Sequence, residues 1–247
     1  MITGLARRFG SLSKVTGFDN ITRRKQWDGS MNRVELGSLA VAVFPVVLAA
    51  GIFTIPVVSD YSNHALAEQA ARQTGRWFWG HLVSGVAFGL GIVAACSIAD
   101  HLFVVGHTCL GKLSLPPATL GGALYAIGLG ADGIGPLATV ASGASAQTFF
   151  EGSGMWVSGV FIAASVLFGL GLIMQVSGIL RARLLGRTTG VVVLAAALVF
   201  VAATAIPSGW GLYGVAVSAL VVYAPISRAM WRQYRGLQEG GITSTQP

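Results

Sequence analysis

Charge is scarce in this chain. Asp, Glu, Lys and Arg make up 10% of its 247 residues, against about a quarter in an ordinary water-soluble domain. So little charge cannot solvate the surface of a globular fold, and 53% hydrophobic side chains exclude the disordered class too. Cysteine is nearly absent, with two in all, which excludes a disulfide scaffold. Acidic residues number 9 against 16 basic ones, and the net charge of +7 is spread thinly between apolar runs. That pattern excludes a nucleic-acid-binding surface. No nucleophile–base arrangement, metal tetrad, phosphate loop or pair of carboxylates at catalytic spacing can be assembled. What is present is a mean hydropathy of +0.70 and 34 glycines.

A bilayer core of about 30 Å needs roughly 20 apolar residues as helix. Six stretches meet or approach that length, at 36–58, 77–105, 117–142, 155–180, 189–206 and 209–226. The expected fold is an all-α integral membrane protein, a six-transmembrane-helix bundle. A basic N-terminal segment at 1–35 precedes it and a basic tail at 227–247 follows. Lys and Arg near span ends mark the cytoplasmic side. Of the 16, only Arg72 and Arg76 fall outside when both termini are placed inside. The chain therefore reads as a multi-pass protein of a bacterial inner (plasma) membrane, N-in and C-in. Trp77, Trp79, Trp156 and Trp210 open spans on the outer side, and Tyr223, Trp231 and Tyr234 mark the inner end of the sixth.

The first tail is too long and polar before its apolar run to be a secretory signal. Leu5, Phe9, Leu12 and Val15 recur every three to four residues among basic ones. This is the pattern of a helix lying on anionic inner-leaflet lipid, or else of an ordinary positive-inside tail. Asn20-Ile21-Thr22 spells a glycosylation sequon on the inner side, where it is not used.

Ionisable residues inside spans are costly and default to functional candidates. Asp132 leads them, set among four glycines and Pro136 in 128–136. The local composition predicts a broken third helix, with Asp132 as counter-charge or proton carrier at the break. The alternative ends the helix near Gly130 and leaves Asp132 in an outer turn. Gly128, Gly130 and Gly133 also spell the dinucleotide fingerprint, without the strand and helix that it requires.

Asp100 and His101 close the second span at its inner end, near His107, Cys109 and Lys112. A proton relay, a metal held by His101, His107 and Cys109, or a plain capped helix end all fit this stretch. Between spans one and two, 63–73 reads as a short outer interfacial helix that aligns His64, Glu68 and Arg72, with Asp60 as its cap. With Asp132 and Glu151, four carboxylates gather at the outer face, as a cation- or proton-handling vestibule or as an ordinary salt-bridge ladder. Only His81 and His101 lie in spans, on one helix and about 30 Å apart by helical rise. No self-contained bis-histidine haem is expected, although a partner could complete a pigment or haem site on either residue.

Gly85 and Gly89 form a Gly-x-x-x-Gly pair suited to close helix contact. Short echoes, such as Val83-Ser84-Gly85-Val86 and Val157-Ser158-Gly159-Val160, have inconsistent offsets and do not establish a repeat.

Three functions compete. The first is a non-catalytic polytopic subunit or scaffold of a larger respiratory or photosynthetic membrane complex, partnered by other membrane subunits and by lipid. The second is a small proton- or cation-coupled transporter using Asp132, with Asp100 at the inner mouth. The third is a lipid-modifying intramembrane enzyme with an outer-face site drawn from His64, Glu68, His81 and Glu151.

Overall fold

The computed structural model describes residues 16–206 and 208–243, with side chains described for 35–152, 155–206 and 208–235. The stripe Leu5 to Val15 and the last four residues lie outside the described residues. The chain folds as α1 (Thr16–Thr54), α2 (His64–Ala71), α3 (Thr74–Val104), α4 (Thr108–Ala141), α5 (Ala146–Arg181), α6 (Arg187–Thr204) and α7 (Gly209–Thr243). All but the short α2 contain a stretch long and apolar enough to cross a membrane, six among the described residues. The chain has the build of a multi-pass membrane helix bundle.

Neighbours in the bundle are α1 with α3 and α7, α3 with α4, α4 with α5, α5 with α6, and α6 with α7, so the six long helices close into a ring. Each sends one aromatic side chain to the centre: Phe44, Phe88, Tyr125, Phe168, Phe200 and Tyr223. Phe88 stacks on Tyr125 at 4.2 Å, Phe44 meets Tyr223 edge-on at 4.9 Å, and Phe168 touches Phe88, Tyr125 and Phe200. Tyr125 also exchanges a 2.7 Å hydrogen bond with Ser165. Tyr223 is therefore a core residue and not the interfacial marker its position suggests. Trp77 is likewise fully buried, whereas Trp79, Trp156 and Trp210 are exposed.

Apolar side chains gain nothing from leaving lipid for protein, so close fit has to hold these helices together. Glycine provides it at the α4–α5 crossing. A methyl added at Gly171 would lie 2.6 Å from the Ala118 backbone nitrogen, and one at Gly121 would collide with the Phe168 backbone. Gly85 faces α4, but its expected companion Gly89 points outward with nothing near it.

Three of the tight turns share one closure. After α3, His107 N–H bonds Leu102 O and Gly106 N–H bonds Phe103 O; after α4, Ala144 and Gly143 repeat the pattern, and after α5 so do Leu184 and Arg183. This double bond needs a left-handed residue. Gly106 (φ 86°) and Gly143 (φ 88°) supply it without strain, while Arg183 (φ 53°) does so at a cost.

Several span ends differ from the sequence reading. The first helix stops at Thr54 and not at residue 58, because Pro56 has no N–H to continue it and disfavours helix at Ile55. The third spanning helix begins at Thr108 and not at Pro117. The carbonyls that Pro116 and Pro117 leave unpaired belong to Lys112 and Leu113, both exposed near the helix end. The fourth begins at Ala146, capped by Ser145, whose Oγ accepts the Gln147 N–H at 3.1 Å. The N-cap position of the connector helix is Asn63, whose side chain makes no capping bond, and Asp60 instead closes the preceding turn.

The largest correction concerns Asp132. α4 is continuous from Thr108 to Ala141, so the helix neither breaks at Asp132 nor ends near Gly130. Pro136 removes the N–H that would bond the Asp132 carbonyl, and the Trp77 indole N–H from α3 replaces it at 2.8 Å.

Candidate functional site

Trp77 and His81 stand one turn apart on the first turns of α3, facing α4. Opposite them α4 presents Asp132, Gly133 and Pro136. A methyl at Gly133 would lie 2.7 Å from His81 Cβ, so the bare glycine lets the two helices come together here. The His81 Nε2 then meets Asp132 Oδ2 at 3.1 Å, with side-chain exposures of 2% and 15%. His81 Nδ1 lies 2.7 Å from the Trp77 carbonyl, and the Trp77 and His81 rings lie 4.5 Å apart. α3 thus holds both the carboxylate and the main-chain carbonyl of Asp132.

The hydrogen bonds fix the proton count. A carbonyl only accepts, so Nδ1 carries a hydrogen toward Trp77. The Nε2–Oδ2 contact then needs one further proton, shared either as imidazolium and carboxylate or as imidazole and carboxylic acid. Both ring nitrogens of His81 are thus engaged within the chain.

A separate small core covers the pair. Val58, α2, Trp77 and the first turn of α5 build it through Ala67, Ala70, Ala71, Ala146 and Phe150, with Tyr61 packed against them. Burial first, and then the nearby Asp132 carboxylate, push the Tyr61 phenol above the ordinary tyrosine range, which keeps its O–H protonated beside the pair.

The remaining carboxylates at this end are engaged one by one. Glu68 accepts from Ser145 Oγ at 3.0 Å and Arg72 at 3.4 Å, tying α2 to the N-terminus of α5. Glu151 accepts from Gln147. Asp60 accepts from the Ser62 hydroxyl and N–H, which hold its carboxyl below the usual range. Of the expected His64, Glu68 and Arg72 ladder, only the Glu68–Arg72 rung forms. Among the described residues no hydrogen bond or ion pair joins His64, Glu68, His81 and Glu151 to one another.

At the opposite end Asp100 is exposed, while its neighbour His101 is 9% exposed. The Gln233 side chain lies close to the His101 ring, whose Nε2 has no hydrogen-bond partner among the described residues. Cys96 is half-buried, Cys109 is exposed and both are free thiols. Among the described residues no three His, Cys, Asp or Glu side chains come close enough to share a metal ion.

Sequence reasoning singled out His81 and Asp132 but did not pair them, and it missed Trp77, Gly133 and Tyr61 as their surroundings. One signal was legible: a proline at 136 orphans the carbonyl at 132, deep enough in a span for a donor from a neighbouring helix to answer it. No family model, curated protein or solved structure matches this chain.

Proposed function

We propose that this protein is a polytopic subunit or scaffold of a larger membrane complex of respiratory or photosynthetic type, without a catalytic centre of its own. The observation that carries this reading is the outward face of α5. Gly152, Gly159 and Ala163 are exposed along it, and methyls built at either glycine would meet nothing within 4 Å. Gly89 on α3 and Gly130 on α4 also have nothing within 4 Å, but α5 alone adds an exposed alanine in line with two such glycines, whereas Gly121, Gly133 and Gly171 stand where another helix presses close. A glycine facing outward weakens its helix by up to about 1 kcal/mol, a cost offset when another chain packs there. The aromatic centre supports the same view, since the bundle interior is filled by its own side chains. Apart from Arg72 and Arg76, the basic residues favour cytoplasmic termini in a bacterial plasma membrane.

Purification in mild detergent tests the proposal. Stoichiometric partner proteins are expected, and Gly159→Leu should shed them while the chain stays helical by circular dichroism. A monodisperse monomer isolated from native membranes would overturn it.

A second reading rests on the proton shared by His81 and Asp132: a proton- or cation-coupled carrier. In a reconstituted flux assay, Asp132→Asn should abolish transport under this reading. Full flux through that variant would remove Asp132 from any transport role.

A further inference from the structure

A groove runs between α1 and α7 at the end of the bundle that carries Arg228, Arg232 and Arg235, with a cavity volume of about 420 Å³. Its walls follow from helical spacing. Ser38, Leu39, Ala42, Pro45 and Val46 form one face of α1, and Leu220, Ala224, Ser227, Arg228 and Trp231 form the opposing face of α7. The helices are joined along its floor by the Ser227 hydroxyl, which donates to the Ser38 carbonyl at 2.9 Å. Leu39 and Val46 are more than half exposed on the rim. From Leu220 to Trp231 the trough is roughly 16 Å long by helical rise, the scale of most of an acyl chain.

Its chemistry is graded along that length. The deep part is apolar, whereas the mouth carries Arg228, the Ser227 hydroxyl and the Trp231 indole. Arg228 is exposed and has no hydrogen bond or ion pair among the described residues. An exposed guanidinium at the rim of an apolar trough, beside a tryptophan, is complementary to a phosphate with an acyl chain attached. Arg232 and Arg235 extend the positive charge along the same helix, and Arg235 lies 5.6 Å from the Trp231 ring centre.

We propose that this groove is a binding site for one anionic phospholipid, with an acyl chain along Val46 and Leu220 and the phosphate on Arg228. The site does not depend on which side of the membrane this end occupies, or on whether the protein is a subunit or a carrier.

The full chain in detergent, loaded from equimolar phosphatidylglycerol and phosphatidylcholine vesicles, allows bound lipid to be counted by native mass spectrometry. Phosphatidylglycerol is expected to remain bound in preference. Arg228→Gln should cut that preference about fivefold, the weight of one basic residue near an anionic headgroup. Lys112→Gln, exposed on α4 and away from the groove, should leave the preference within twofold. Ala224→Trp should fill the trough and expel the lipid while helicity is retained, which separates site loss from misfolding. Equal retention of both lipids by the unmodified chain, or an unchanged preference in Arg228→Gln, would overturn the proposal. So would disulfide cross-linking of two copies through Ala224→Cys, because the groove would then be a seam between protomers.

Discussion

Among the described residues, polar groups at the two ends of the bundle have different fates. At the α2 end Asp60, Glu68, His81, Asp132 and Glu151 each meet a partner within the chain. At the other end Asp100, Lys112, Arg228 and Arg232 are exposed without a recorded partner, and the buried His101 Nε2 has none. The difference follows from where each helix needs help. At the α2 end a proline and two inward ionisable groups would leave orphans in an apolar surrounding, so neighbouring helices must answer them. At the other end the cations reach outward from their helices, where water and headgroups can answer them without any partner from the protein. The carboxylates are therefore bound within the chain at one end, while the charged side chains face the surroundings at the other, where the Ser227 hydroxyl still joins α7 to the Ser38 carbonyl of α1.

Breaking the His81–Asp132 contact tests this contrast most strongly. His81→Leu or Asp132→Leu alone should destabilise the protein by about 2 to 3 kcal/mol, since each strands an ionisable group inside the bundle. The double variant should recover most of that loss, because neither group is then left alone. Arg232→Gln at the other end should change stability by less than about 0.5 kcal/mol. Thermal unfolding in one detergent measures all four. Equal losses at both ends would remove the distinction.

The Trp77 bond is the sharper and smaller test. Trp77→Phe keeps the ring and deletes the N–H, leaving the Asp132 carbonyl unpaired at a cost of about 1 kcal/mol. Pro136→Ala supplies a main-chain N–H to that same carbonyl. In the Pro136→Ala background the loss caused by Trp77→Phe should therefore largely vanish. A loss of the same size in both backgrounds would show that Trp77 acts through packing alone.

Long charge-free runs made the six spans legible, because membrane crossing is a matter of length and hydropathy. Their ends were less so, because they depend on local bonding that hydropathy does not register. Pro116 and Pro117 look like a helix start and lie inside α4, since the carbonyls they free are at an exposed end. Trp77 and Tyr223 look like interfacial aromatics and are core, since only the packing decides which face of a helix turns inward. His81 and Asp132 were each visible as costly residues. Their contact depends on the relative register of α3 and α4, set by Gly133, and spacing within either helix does not reveal it.

The smallest effect concerns turns, where the two ends should behave alike. The turns after α3, α4 and α5 use the same pair of main-chain bonds, yet the third places Arg183 where the others place glycine. A side chain in the left-handed region costs about 1 to 2 kcal/mol, and glycine returns part of that through the freedom it adds to the unfolded chain. Arg183→Gly should therefore stabilise the protein by about 0.5 to 1 kcal/mol, and Gly143→Arg at the α2 end should destabilise it by a similar amount. Opposite shifts in melting temperature would show that backbone geometry governs these turns at both ends. If Arg183→Gly lowered the melting temperature, the arginine charge would have to contribute more than its strained backbone costs, and the contrast between the ends would extend to the turns.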